Sequence, residues 1–247
     1  MGKYVPNTEA EQKAMLSEIG FSSFDELFAH VPEEVKLRKE LDIPSGLSEL
    51  EVRRDMTKLA EKNKIFPLIF RGAGAYRHFI PSIVKSVISK ENFLTSYTPY
   101  QAETSQGVLQ SIFEYQTMIC DLTGMDVSNA SVYDGATAAA EAVAMCRERK
   151  RKKALVSSLM QPDTLETVKT YCHGNGMELE FIPEKDGLTD IDYLKAHLDP
   201  SIACVLIQHP NFYGNLEPAR QIADLSHEAG AKYIMSVNPI SLGILKS

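Results

Sequence analysis

The sequence predicts an α/β fold, a mostly parallel, doubly wound sheet preceded by an α-helical N-terminal arm. Three observations carry this. From about residue 125 onward, short β-prone runs alternate with helical runs at the spacing of strand–helix–strand units. One run, Ala203-Cys204-Val205-Leu206-Ile207, is apolar throughout, as a strand buried on both faces must be. Residues 1–65, by contrast, show helix-start signals and polar connections without strand alternation.

In the arm, Ser23-Phe24-Asp25-Glu26-Leu27-Phe28 carries a helix start and Ile43-Pro44-Ser45-Gly46 breaks the chain. Ser48 ahead of Glu51 forms a capping box for an amphipathic helix over 49–62. Residues 66–124 form a second segment, rich in turns and aromatics, that ends in a helix over 106–122. Residues 125–247 read as the N-terminal part of a large domain. It opens with a β-prone run at 130–133 and an alanine-rich helix over 136–150. Strands then follow at 154–157, 178–182, 203–207 and 232–237, with helices at 164–173, 191–197 and 217–228 between them. Only ten residues follow the last strand, leaving Ile240, Leu242, Ile244 and Leu245 with no element of their own to pack on. The sheet is therefore expected to be incomplete, in a truncated chain rather than in one whose core another chain completes.

The net charge of -7 argues against a nucleic-acid or anionic-membrane partner bound over a broad surface. No apolar run is long enough to span a bilayer, and the N-terminus lacks the apolar core of a signal peptide. A soluble, cytoplasmic protein is expected. Cys120, Cys146, Cys172 and Cys204 are too far apart in sequence for a metal knuckle or a compact disulfide framework, and read as buried thiols. The histidines show no paired metal-ligand spacing, so no metal site is expected.

Four stretches can carry chemistry. Asp134-Gly135-Ala136-Thr137 lies where a strand turns into a helix, so Gly135, Ala136 and Thr137 can cradle a phosphate. The same residues equally form an Asp-Gly turn and helix cap with no ligand. Tyr97-Thr98-Pro99-Tyr100-Gln101, followed by Gln106, holds two tyrosines on an extended Thr-Pro step. Tyr97, Tyr100, Gln101 and Gln106 can orient a small polar substrate, or the tyrosines can simply pack on the surface. Gly72-Ala73-Gly74-Ala75-Tyr76 is glycine-rich, but Arg77 stands where a dinucleotide fingerprint needs its third glycine, so a tight turn is expected. His209-Pro210-Asn211-Phe212-Tyr213-Gly214 follows a buried strand, at the edge where open α/β sheets place ligands. The basic run Arg147 to Lys153 reads as a solvated helix terminus.

Taken together, Gly72-Ala73-Gly74-Ala75-Tyr76, Tyr97-Thr98-Pro99-Tyr100-Gln101 with Ser105-Gln106-Gly107, and Asn129 to Ala138 resemble the glycine cleavage system P-protein. The likeness is closer to subunit 1, the N-terminal half of glycine dehydrogenase (decarboxylating). It runs from about residue 5 to the last residue, with Arg71 and Ala102 standing where the family has an apolar residue and a proline. The resemblance implies a fold-type-I architecture, like aspartate aminotransferase and many pyridoxal-phosphate enzymes. It implies the cytoplasmic decarboxylation of glycine and transfer of the aminomethyl group to lipoyl H-protein, within a heterotetramer with P-protein subunit 2. It also implies that subunit 2, not this chain, holds pyridoxal phosphate covalently. Tyr97, Tyr100, Gln101 and Gln106 are then expected to line the active-site channel, and Gly135, Ala136 and Thr137 to be a relic of the phosphate cup. Asn238 follows the strand at 232–237, where the fold class places an aspartate for the ring nitrogen. Two other readings stay open: a self-sufficient pyridoxal-phosphate enzyme whose lysine lies beyond residue 247, and a purely structural subunit.

Overall fold

A computed structural model describes residues 6–37, 39, 41–70, 74, 78–102 and 106–246, the side chain of Gln106 excepted. The chain divides into two units, Met1–Ile69 and Phe70–Ser247.

Caps, more than burial, shape the first unit. Helices α1 (Glu9–Glu18) and α3 (Glu49–Ala60) begin with reciprocal capping boxes, Thr8 with Glu11 and Ser48 with Glu51, and α2 (Phe24–Leu27) begins on Ser23. Hydrogen bonds from Thr8 and Ser48 hold the Glu11 and Glu51 carboxyls below their ordinary range. Among the described residues of this unit, Leu16 is the one buried apolar side chain. Leu50, Val52, Met56 and Leu59 of α3 remain exposed.

The second unit is three-layered. Helices α4 (Ser82–Ile88), α5 (Glu91–Leu94) and α6 (Gln106–Thr123) precede the alanine-rich α7 (Gly135–Met145). The sheet follows as β1 (Lys153–Ser157), α8 (Pro162–Asn175), β2 (Glu178–Ile182), a small hairpin of β3 (Glu184–Lys185) and β4 (Leu188–Thr189), α9 (Ile191–His197), β5 (Ile202–His209), α10 (Ala219–Glu228) and β6 (Lys232–Val237). The four long strands are parallel in the order β2-β1-β5-β6, as the alternation of strand and helix predicts.

The pleat sorts side chains between two cores. Val156, Phe181, Leu206 and Ile234 align across the sheet and face α7 and α8, together with Cys146, Cys172 and Cys204. Leu155, Val205 and Tyr233, one residue along, join Leu194 of α9 and Ile222 of α10 on the other face. Cys120 is half-buried and the other three cysteines are buried; burial pushes the Cys172 thiol up, away from reactivity. The Asp186-Gly187 hairpin turn has both residues at positive φ, as a two-residue loop of this hand requires.

Three sequence expectations change. Residues 130–133 form no strand: the preceding Ser128 carbonyl is taken by the Gln116 side chain, and Tyr133 stands 99% exposed. The alanine-rich helix stops at Met145, not near Lys150. Glu148 N–H turns back to Arg151 O at 2.9 Å, and the Arg151 guanidinium donates to Ile202 O at 2.8 Å and Ala229 O at 3.4 Å. The basic run is thus partly a clip between β5 and the end of α10. Finally, the tail packs after all: a 3-10 turn, Pro239–Gly243, lies on α6 with Leu242 and Leu245 half-buried, while Ile240 and Ile244 stay exposed. Among the described residues no helix is long and apolar enough to cross a membrane.

Candidate functional site

The strand order reverses between β1 and β5, because β2 lies on one side of β1 and β5 on the other. Open α/β sheets bind ligands at that switch point, outside the carboxyl ends of the two strands. Here the loops leaving β1 and β5 are stitched together: Phe212 N–H donates to Leu159 O at 2.8 Å, and Gln161 N–H to Gln208 Oε1 at 2.9 Å. Gly74, in a turn at φ +82°, approaches so closely that a Cβ there would lie 2.8 Å from Gln161 Nε2. Gly74 itself therefore lies against the sheet edge, beside Gln161. The rest of that glycine-rich motif, Gly72, Ala73, Ala75 and Tyr76, lies outside the described residues.

Beneath the same edge runs a buried polar network. Asn211 Nδ2 donates to Glu217 Oε1 (2.8 Å) and Gly187 O (3.0 Å), while its Oδ1 accepts from Tyr213 N–H and Asn215 N–H, both at 3.1 Å. Glu217 Oε2 accepts from Thr189 N–H at 3.0 Å, and the Thr189 and Ser157 hydroxyls share a hydrogen bond at 2.8 Å. Glu217 N–H donates to His209 Nδ1 at 3.2 Å, which puts the proton of the neutral ring on Nε2. This loop is rigid by construction, because each polar atom of Asn211 is spent on it. It leaves Tyr213 exposed beside Phe212, edge to face at 5.4 Å. The sequence placed a site at this edge; it gave no sign of Glu217 or Thr189, whose partners lie 6 and 28 residues away.

The second constellation is the N-terminus of α7. Asp134 is the cap: its Oδ1 accepts from Thr137 N–H and Thr137 Oγ1, both at 2.8 Å, and Asp134 N–H donates back to Thr137 Oγ1 at 3.0 Å. The backbone hydrogen bond from Thr137, helped by the Thr137 hydroxyl, holds the Asp134 carboxyl below the usual carboxylate range. A cavity of about 440 Å³ opens beside this turn, lined by Ser131, Val132, Tyr133, Thr137, Glu141 and Tyr171. Partial desolvation and the neighbouring Glu141 carboxylate push the Tyr171 hydroxyl up. A second cavity of about 370 Å³, lined by Phe93, Val108, Ser111, Ile112, Tyr115, Ala130 and Ser131, shares the Ser131 wall. Tyr171 reaches this place from α8, and nothing in the local sequence announces it.

The fit of the implied cofactor can be judged from these groups. A phosphate needs free N–H and O–H donors and a positive helix end. At α7 the Thr137 donors are engaged and the nearest group is an anion. Asn238 directly follows β6, and its Oδ1 accepts from Ile240 N–H at 3.1 Å, serving as a cap for the 3-10 turn. These residues do not fit pyridoxal phosphate.

The third constellation is the tyrosine turn. Tyr97 and Tyr100 are 93% and 73% exposed, and Gln101 closes the turn, its N–H donating to Thr98 O and its Nε2 to Thr98 Oγ1, both at 3.1 Å. Gln106 begins α6. The structure thus gathers Tyr97, Tyr100 and Gln101 on one turn and places Gly135, Ala136 and Thr137 on a separate helix end.

A family model described as glycine cleavage system P-protein matches residues 2–247. A protein of Carboxydothermus hydrogenoformans named probable glycine dehydrogenase (decarboxylating) subunit 1 is 49% identical over 99% of this chain and 56% of its own length. The Bacillus subtilis protein of the same name is 47% identical over 98% of this chain and 55% of its own. The chain therefore spans about half the length of these relatives. A crystal structure of glycine decarboxylase (P-protein) of the glycine cleavage system, in inhibitor-bound form, superposes with a TM-score of 0.87 at 40% identity, over 99% of this chain and 55% of that one. A NifS-like protein, 16% identical with a TM-score of 0.52, shares the fold alone. The architecture is that of fold-type-I pyridoxal-phosphate enzymes. With that family model matching residues 2–247, the chain belongs to the glycine cleavage system P-protein family.

Proposed function

We propose that this chain serves as the subunit of a heteromeric glycine decarboxylase that does not carry the Schiff-base lysine. In this reading P-protein subunit 2 holds pyridoxal phosphate covalently, and the assembled enzyme decarboxylates glycine and passes the aminomethyl group to lipoyl H-protein. The cofactor supplies the electron sink. This chain supplies shape and hydrogen bonds: Tyr97 and Tyr100 offer rings and hydroxyls that are open to cover by a partner, and Gln101 keeps their turn closed. Glycine is the small substrate these groups would orient, with Gln106 at the start of α6 beside them in sequence.

The observation that carries the reading is the likeness of nearly this whole chain to about half of a protein named subunit 1, in a chain whose own α7 turn is capped by the Asp134 carboxylate. Asn238 supports it, because a neutral amide cannot hold a pyridinium proton as a carboxylate does. The test is glycine–bicarbonate carboxyl exchange with H-protein, using the protein as its gene encodes it, with and without a subunit 2. Exchange that needs both proteins supports the reading. Exchange by this protein alone means that it carries its own lysine, and absence of exchange from both mixtures means a different reaction; either result overturns it.

A further inference from the structure

The N-terminus of α7 has the parts of a phosphate site together with one that opposes it. The helix is 11 residues long, its first turn is Gly135-Ala136-Thr137, and a Cβ added to Gly135 would meet nothing within 4 Å. The adjoining cavity of about 440 Å³ brings the Ser131, Tyr133 and Thr137 side chains to the same place, with Glu141 also in its lining. Backbone donors, a hydroxyl and room for a ligand are all present. Against them stands Asp134, whose Oδ1 occupies both Thr137 N–H and Thr137 Oγ1. Both Thr137 donors are spent, and an anion already sits at the positive end of the helix.

We propose that Asp134 is what closes this cup: its cap carboxylate, rather than any lack of space or of donors, keeps a phosphate monoester from the start of α7. The inference rests on the reading that this chain leaves the cofactor to its partner subunit, and it assigns that loss to one side chain. Asp134→Gly removes the charge and frees the Thr137 N–H and hydroxyl together. Glycine is tolerated at a helix cap, so α7 keeps its start. Asp134→Ser keeps a short neutral cap, and serves where the glycine variant is less well folded.

The experiment titrates inorganic phosphate, and separately pyridoxal phosphate, into the wild-type protein, Asp134→Gly, Asp134→Ser, Thr137→Val and the double variant Asp134→Gly/Thr137→Val. Calorimetry follows both ligands, and circular dichroism checks the fold. Expected is no saturable binding by the wild type and a gain of at least about tenfold in affinity in one or both single variants, lost again in the double variant. Folded single variants that bind no better than wild type overturn the inference while leaving the functional reading intact. So does a gain that survives Thr137→Val, since the ligand then sits elsewhere. Saturable binding of pyridoxal phosphate by the wild type, lost in Thr137→Val, overturns both.

Discussion

Asn211 Nδ2 donates to Glu217 Oε1 at 2.8 Å, and both side chains lie under the carboxyl edge of the sheet almost out of reach of water. Among the described residues the carboxylate's donors are both neutral: the Asn211 amide on one oxygen and Thr189 N–H on the other. Such a network is costly to break from one side, because each abandoned donor stays buried and unpaired.

Glu217→Ala is therefore expected to lower unfolding free energy by about 2–4 kcal/mol, and Asn211→Ala by about 2 kcal/mol. The double variant should lose less than the sum by at least about 1 kcal/mol, since each single change already strands the same partners. Urea unfolding of the four proteins measures this. Additivity within about 0.5 kcal/mol would mean that the two residues act independently.

Two left-handed glycines make a matched comparison. Gly176 ends α8 at φ +62° with nothing within 4 Å of an added Cβ, whereas at Gly230, φ +72°, a Cβ would lie 2.8 Å from Arg151 Nη2. Alanine in either place is strained by about 1 kcal/mol. At Gly230 it must also push aside the guanidinium that clips Ile202 O and Ala229 O. Gly230→Ala is expected to destabilise by about 1 kcal/mol more than Gly176→Ala. Equal thermal or urea midpoints for the two would show that the Arg151 clip carries no weight.

What could be read in advance follows the range of the forces. β5 was legible as a local apolar run, β1, β2 and β6 as short β-prone runs at the spacing of strand–helix units, and Ser48 with Glu51 because a capping box closes within three residues. Residues 130–133 misled for the same reason in reverse: their composition favours a strand, but pairing depends on a neighbour that composition does not report. The end of α7 at Met145 hinges on Arg151 reaching 51 and 78 residues along the chain. The capped cup was visible as one of two readings of Asp134 to Thr137; hydrogen-bond geometry chose between them. Glu217, Thr189 and Tyr171 were invisible, since each acts through partners distant in sequence.

The half-buried pair of Lys153 and Glu180 links β1 to β2, and Tyr193 OH also donates to Glu180 Oε1 at 2.9 Å. The Lys153 hydrogen bond, with Tyr193 behind it, holds Glu180 below its ordinary value; the same bond to Glu180 raises Lys153. The lowered carboxyl contributes stability above its unfolded pKa of about 4.3, lost as pH falls through the folded value. The raised ammonium contributes stability below its unfolded pKa of about 10.4, lost as pH rises through the folded value. Water reaches both groups, so the pair is worth about 1 kcal/mol or less. The gap in urea midpoint between wild type and Glu180→Gln should be widest near neutrality and shrink below about pH 4. A gap constant across that range would show that Glu180 acts by packing rather than by charge.

Tyr100 bears on the function itself. Its hydroxyl stands in solvent on the turn closed by Gln101, so Tyr100→Phe changes neither the fold of the turn nor the apolar surface offered to a partner. If the hydroxyl hydrogen-bonds substrate or cofactor in the assembled enzyme, its loss removes about 1.5–3 kcal/mol, or roughly 10- to 100-fold in glycine turnover. Affinity for subunit 2 should change by less than about threefold, because ring burial is retained. Exchange rate at saturating partner and the assembly constant, measured on the same variant, separate the two effects. Turnover that stays level while assembly weakens makes Tyr100 an interface residue only. Turnover and assembly both unchanged, for Tyr97→Phe as well, would favour a subunit that stabilises its partner without touching the chemistry.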